Sequence, residues 1–253
     1  MTEPIVLYDI PGKNPQYKAW SPSTWKTRFA LAYKGLPFKT EWVEYPDIEG
    51  LCKKLGAPPT QKKRDGSPLY TVPVIYDPST QTVVEDSWKI ARYLDKTYPD
   101  TPRVIPENTG GLQAAYMSAF ENAVSGHLYD LVVLAACNNL NPRSEEFFRT
   151  TREKSEGKKL EDIAPPGEER EKLLRAMYLG LNRVASWFDK NEGNGPFITG
   201  TSMTHADIAT ASRLIWAKVV LGEESEVWRA VVSWNGGRWD QYMKHFEKYE
   251  VLT

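Results

Sequence analysis

Ser21-Pro22-Ser23-Thr24-Trp25 is the stretch that decides the fold. It follows the short apolar run Ile5 to Ile10 across a loop. Proline fits the first turn of a helix because its missing N–H would have no helical partner there. It also pushes the preceding residue out of helical geometry, so Ser21 reads as the N-cap. A hydroxyl in that place faces unpaired backbone N–H groups and the positive end of a helix dipole. It either caps the helix and nothing more, or it holds an anion, a thiolate among others. Local sequence favours the plain cap. The rest of the chain reverses that preference.

Working outward, the chain up to Pro99 alternates strand and helix signals. Ile5-Val6-Leu7-Tyr8-Asp9-Ile10 is a short buried strand, and Trp25, Phe29, Ala32 and Leu36 recur at helical spacing over Pro22 to Leu36. Phe38 to Tyr45 alternates like a strand, and residues 48–55 suit a short helix. Val72 to Tyr76 and Thr82 to Glu85 read as strands joined by the tight turn Asp77-Pro78-Ser79-Thr80. Ser87 to Tyr98 closes the series as a helix. The order is βαβ, then αββα.

Residues 100–111 are rich in Pro, Gly, Thr and Asn and read as a linker. Beyond them strand signals vanish. Leu112, Tyr116, Phe120, Val124, Leu128 and Leu131 form one apolar stripe along a single long helix, with further helices over 144–156, 167–190, 204–221 and 224–246. The expected architecture is an α/β domain over 1–99, a linker over 100–111 and an all-α domain over 112–253.

Composition narrows the function. A formal net charge of −1 gives neither nucleic acid nor an anionic membrane an electrostatic hold. With no signal-peptide pattern and no apolar run able to span a bilayer, a cytoplasmic protein is expected. Cys52 and Cys137 are far apart and His127, His205 and His245 are scattered, so no metal site is expected. Nine tryptophans mean either a heavily filled core or an aromatic-lined pocket.

Four features, in this order and spacing, resemble the glutathione transferase family, and the resemblance spans essentially the whole chain. They are Ser21-Pro22 opening the first helix, Val72-Pro73 before a strand, Asp86-Ser87-Trp88-Lys89-Ile90-Ala91-Arg92-Tyr93-Leu94, and Thr204-His205-Ala206-Asp207-Ile208. The resemblance implies a thioredoxin-like N-terminal domain, a helical C-terminal domain and glutathione as co-substrate. It implies a cis Val72-Pro73 bond, with the Val72 backbone pairing to the cysteinyl unit. Ser87 and the N–H groups of its helix start would take the γ-glutamyl carboxylate, and Asp86 the ammonium. Thr204 and Asp207 read as a structural capping box.

Within the family, Ser-Pro-x-x-Trp-x-x-Arg over 21–28 and the insertion over 56–69 resemble the etherase-like fungal-specific class A and the related bacterial lignin β-etherases. That likeness implies a serine-type enzyme in which Ser21 donates to the glutathione sulfur and the thiolate attacks an aromatic electrophile, β-aryl ethers included. Ser23 and Thr24 compete for the role, and backbone N–H groups alone could fill it. Tyr17, Trp20, Tyr116 and Phe120 are the expected second-substrate wall, although Tyr116 and Phe120 equally suit interdomain core. Lys62, Lys63 or Arg64 would reach the glycyl carboxylate or stay solvated. A homodimer is expected from the family. The alternative function is a ligandin-like binder of polyphenols or lignin-derived aromatics with little turnover. A regulatory scaffold would not need Val72-Pro73 and Asp86-Ser87, and a disulfide reductase would need a cysteine near the first helix.

Overall fold

A computed structural model describes residues 3–253, the side chain of Gln16 excepted; Met1 and Thr2 of the expected first domain lie outside the described residues. Strand β1 (Ile5–Asp9) runs in the middle of a four-stranded sheet, paired along both edges, and all five of its residues are buried. Helix α1 (Pro22–Tyr33) returns the chain to β2 (Phe38–Trp42), parallel to β1. After α2 (Ile48–Leu55), strands β5 (Val74–Asp77) and β6 (Thr82–Glu85) complete the order β2-β1-β5-β6, with β5 antiparallel to β1. Helix α3 (Ser87–Thr97) follows. This is the βαβ-αββα series expected from the sequence.

The strand expected over 38–45 stops at Trp42 because a 3-10 turn containing Pro46 follows. The insertion holds a small hairpin, β3 (Gln61–Lys62) with β4 (Pro68–Leu69), that the sequence did not reveal. Two-residue strands are too short to show a period.

The helical part runs through α4 (Gly110–Phe120), α5 (Gly126–Asn138), α6 (Pro142–Glu156), α7 (Glu168–Phe188), α8 (His205–Leu221) and α9 (Glu226–Lys244). Helix α4 begins two residues inside the segment read as linker. The long stripe is not one uniform α-helix: residues Glu121–Ser125 form a π turn between α4 and α5. Leu112 does not belong to the stripe, being 74% exposed, whereas Phe120, Val124, Leu128 and Leu131 are buried. Gly180 of α7 lies against this π turn, where a Cβ would fall 1.9 Å from the Ala123 carbonyl oxygen, so no side chain fits. Helix α9 breaks at Trp234–Gly237, where Asn235, Gly236 and Gly237 take positive φ.

Two clasps join the parts. Glu44 accepts from Asn141 Nδ2 at 2.8 Å and from the Ser144 hydroxyl, while Arg143 makes a two-pronged bond to Asp47 at 2.9 and 3.0 Å. Beneath α1, Arg28 and Asp9 form a wholly buried ion pair at 3.0 Å, and Arg28 also donates to Thr40 and to the Val251 carbonyl. The capping box is present. The Thr204 N–H and hydroxyl donate to Asp207 Oδ2 at 2.9 and 2.8 Å, and the Ile198 N–H donates to its Oδ1.

Candidate active site

Register gathers three sequence motifs at one end of the sheet. Tyr8 pairs with Val74, so Val72-Pro73 lies beyond the carboxyl end of β1, from which the chain leads to the start of α1. Val74 pairs with Glu85, and the Asp86 N–H donates to the Pro73 carbonyl at 3.3 Å. The carboxyl end of parallel α/β strands is where such sheets bind ligands.

Ser21 is the N-cap of α1 by position, with φ −67° and ψ 125°, yet its side chain makes no capping bond. Its carbonyl accepts the Trp25 N–H at 3.0 Å and the Thr24 hydroxyl at 3.1 Å. Thr24 is wholly buried, while Ser23 is exposed. With proline at N1, the Ser23 and Thr24 N–H groups remain as helix-start donors, and no described residue accepts from them. The first turn thus offers one unspent, mostly buried hydroxyl and two backbone donors to an anion.

Val72-Pro73 is cis, and the Val72 N–H and C=O meet no backbone partner among the described residues. Asp86 takes φ 70°, a costly conformation for a non-glycine residue that tends to occur at functional sites. Its Oδ1 accepts from the Trp88 and Lys89 N–H groups at 3.0 and 3.1 Å. This narrows the expectation for α3: two helix-start donors are spent on Asp86 itself, leaving the half-buried Ser87 N–H and hydroxyl for a carboxylate.

A family model described as the glutathione S-transferase N-terminal domain matches residues 20–97, and one for the C-terminal domain matches residues 111–249. The chain belongs to the glutathione S-transferase family. It is 46% identical to glutathione transferase GSTFuA3 of Phanerochaete chrysosporium, with a TM-score of 0.96 over 100% of both chains. It is 49% identical to the Ceriporiopsis subvermispora glutathione S-transferase CsGST63524, solved in complex with glutathione, with a TM-score of 0.95 over 99% of both. The glutathione S-transferase-like protein ustS of Aspergillus flavus is 31% identical over 92% of this chain and 86% of its own length. The likeness to fungal class A enzymes is thereby borne out.

This glutathione transferase also carries a cation near Asp86 that the sequence did not single out. Lys26, on α1 and half-buried, makes no ion pair among the described residues. Burial lowers its pKa to about 8, Arg213 adding to the effect and Glu121 and Asp86 opposing it. The period of α1 gave no signal for it, because a lysine on a helix face is ordinarily solvated. Of the insertion cations, Lys63 stands 3.9 Å from Glu49 and Arg64 donates to the Ser155 carbonyl at 3.4 Å. Lys62 is exposed on β3.

The four aromatic residues expected to form one wall are in three places. Trp20 is buried against Tyr45 and Phe148, with ring centroids 6.5 and 6.4 Å away. Tyr116 stacks on Phe120 at 6.2 Å, packs against Trp187 at 5.7 Å and bonds Thr210 through its hydroxyl. Phe120 is buried core. Tyr17 borders a cavity against α8 and the C-terminal tail. Aromatic content alone does not say which ring fills the core and which faces a ligand. Among the described residues, no group of three or more His, Cys, Asp or Glu side chains could hold a metal ion.

Proposed function

We propose that this glutathione transferase is of the serine type, with Ser21 donating a hydrogen bond to the glutathione sulfur. The observation that carries this is the Ser21 hydroxyl: it is placed as an N-cap but is not spent on capping. A serine stays protonated, so it stabilises the thiolate as a donor, aided by the Ser23 and Thr24 N–H groups and the helix dipole. The unpartnered donors and acceptors along the site suit the rest of the tripeptide. The Val72 backbone would pair with the cysteinyl unit, cis Pro73 would shape that segment, Ser87 would take the γ-glutamyl carboxylate, and the second Asp86 oxygen its ammonium.

The fungal class A likeness supports an aromatic electrophile. In β-aryl ether cleavage, the thiolate attacks the carbon α to a ketone. A carbon–sulfur bond forms, the carbon–oxygen bond breaks, and the aryloxide leaves with the electron pair and takes a proton from water. Tyr17 and Tyr116 are the expected aromatics that remain partly accessible. Homodimer formation belongs to the same proposal and rests on the family, and a cytoplasmic location is proposed with it.

The test is glutathione-dependent release of a fluorescent phenol from a β-aryl ether ketone. Release that requires both glutathione and protein supports the enzyme. Glutathione binding without release, accompanied by tight binding of the ether, would instead support the ligandin-like function.

A further inference from the structure

Trp25 offers no group to a ligand in the site described above, yet it holds the chain on both sides of Ser21. Its backbone N–H donates to the Ser21 carbonyl at 3.0 Å, and its indole N–H donates to the Ala19 carbonyl, also at 3.0 Å. Ala19 is tied in turn to the exit of β1. It forms an antiparallel bridge with Pro11, and the Gly12 N–H donates to the adjoining Lys18 carbonyl at 2.8 Å. The indole is itself held in place. Trp25 is buried, its ring lies 4.8 Å from that of Phe29, and the Arg28 guanidinium, paired with Asp9, stands 5.6 Å from its centroid.

The adjacent tryptophan is a contrast. Trp20 packs against Tyr45 and Phe148, and its buried indole nitrogen has no partner among the described residues. Burying a tryptophan here therefore needs no hydrogen bond, and the bond from Trp25 has a separate consequence for the loop it grips. An N-cap serine ordinarily turns its hydroxyl onto the N–H groups of the first turn. Ser21 does not, although φ −67° and ψ 125° suit a cap. Pro22 fixes the helix that follows, so the path of residues 19–21 decides where the Ser21 hydroxyl stands. Without the indole N–H, the Ala19 carbonyl would be buried and unmet. That cost turns the carbonyl toward another partner and moves Ser21 with it. A displacement of about 1 Å at a reacting group can cost roughly a hundredfold in rate.

We propose that Trp25 is a positioning residue for the glutathione thiolate: by donating to the Ala19 carbonyl, it holds the approach to α1 in the path that aims the Ser21 hydroxyl at the sulfur. This role rests on the serine-type reading above and acts through Ser21 alone.

The experiment is the pH titration of thiolate ultraviolet absorbance for glutathione bound to the full chain, in wild type, Trp25→Phe, Ser21→Ala and the double variant. Trp25→Phe is expected to raise the bound thiol pKa by at least about half the rise in Ser21→Ala, and the double variant to titrate with Ser21→Ala, because residues that act as a unit are not additive. Should Trp25→Phe not fold, 3-benzothienylalanine in place of Trp25 keeps the ring's shape, puts sulfur where the N–H was, and is expected to give the same rise. A merely structural tryptophan would lower the urea midpoint and leave the thiol pKa at its wild-type value. That result, with the rise in Ser21→Ala still present, would overturn the role of Trp25 and leave the serine-type reading standing. A double variant that exceeds Ser21→Ala by the full Trp25→Phe rise would overturn it too, since Trp25 would then act by a route other than Ser21. An unchanged thiol pKa in Ser21→Ala would sink the serine-type reading and this role with it.

Discussion

The Thr24 hydroxyl donates to the Ser21 carbonyl at 3.1 Å, and this bond separates the three hydroxyls of the first helical turn. Thr24 is buried and committed to the backbone, Ser23 is exposed, and Ser21 is mostly buried with its own hydroxyl unspent. A buried side chain bonded to its own helix cannot also serve a ligand sulfur. Thr24→Val should therefore leave glutathione-dependent turnover within about threefold of wild type and cost about 1 kcal/mol of stability from the lost bond. Steady-state kinetics beside a urea melt checks both. A collapse of turnover with the fold intact would return Thr24 to the mechanism.

Asp86 caps α3, and its proposed second duty, the ammonium contact, separates from the first by variant. Its Oδ1 caps α3 at Trp88 and Lys89. Asp86→Asn keeps a capping oxygen but loses the charge, so it should hold stability within about 1 kcal/mol and raise the KM for glutathione. Asp86→Ala should lose about 1–2 kcal/mol as well. Equal KM values in wild type and Asp86→Asn, measured with the second substrate saturating, would contradict an ammonium contact at Asp86.

His205 and Asp207, two residues apart on α8, should shift stability in opposite senses on acidification. Burial lowers the His205 pKa from 6.5 to about 3, with Lys26 adding to it and a bond to the Ser87 backbone opposing it. Its contribution is present above pH 6.5 and is lost as pH falls toward 3. Burial raises Asp207 from 3.8 to about 6, against the bonds from Ile198 and Thr204. Its contribution is fullest below pH 3.8 and is lost as pH rises through about 6. Urea unfolding between about pH 4 and pH 7 should therefore show Asp207→Asn losing stability more steeply than wild type as pH falls. His205→Leu should lose less than wild type, since it removes the group that takes up the proton. Parallel pH slopes in all three proteins would refute the assignment.

Much of this was legible because local chemistry dictates it. Pro22 sets a helix start, Gly56 at φ 77° ends α2, and a continuous apolar run such as Ile5 to Tyr8 can be satisfied only by a central strand. The Thr204–Asp207 box was readable for the same reason. What escaped depends on partners distant in sequence. The π turn at Glu121–Ser125 accompanies the packing of Gly180 against Ala123. Leu112 fits a helical stripe but lies beyond the packed surface. Trp20, Phe120 and Tyr17 are alike in composition, yet α6, α7 and the C-terminal tail give them different neighbours. The Asn235-Gly236-Gly237 break in α9 was visible in the residues and was overridden by the apolar pattern around it.

The central claim is that Ser21, and no other hydroxyl of the first turn, lowers the pKa of bound glutathione. The direct measurement is the pH titration of thiolate ultraviolet absorbance for glutathione bound to wild type, Ser21→Ala and Ser23→Ala. A bound thiol pKa below that of free glutathione is expected in wild type and Ser23→Ala, with a rise by about one unit or more in Ser21→Ala. An unchanged thiol pKa in Ser21→Ala, with glutathione still bound, would contradict it.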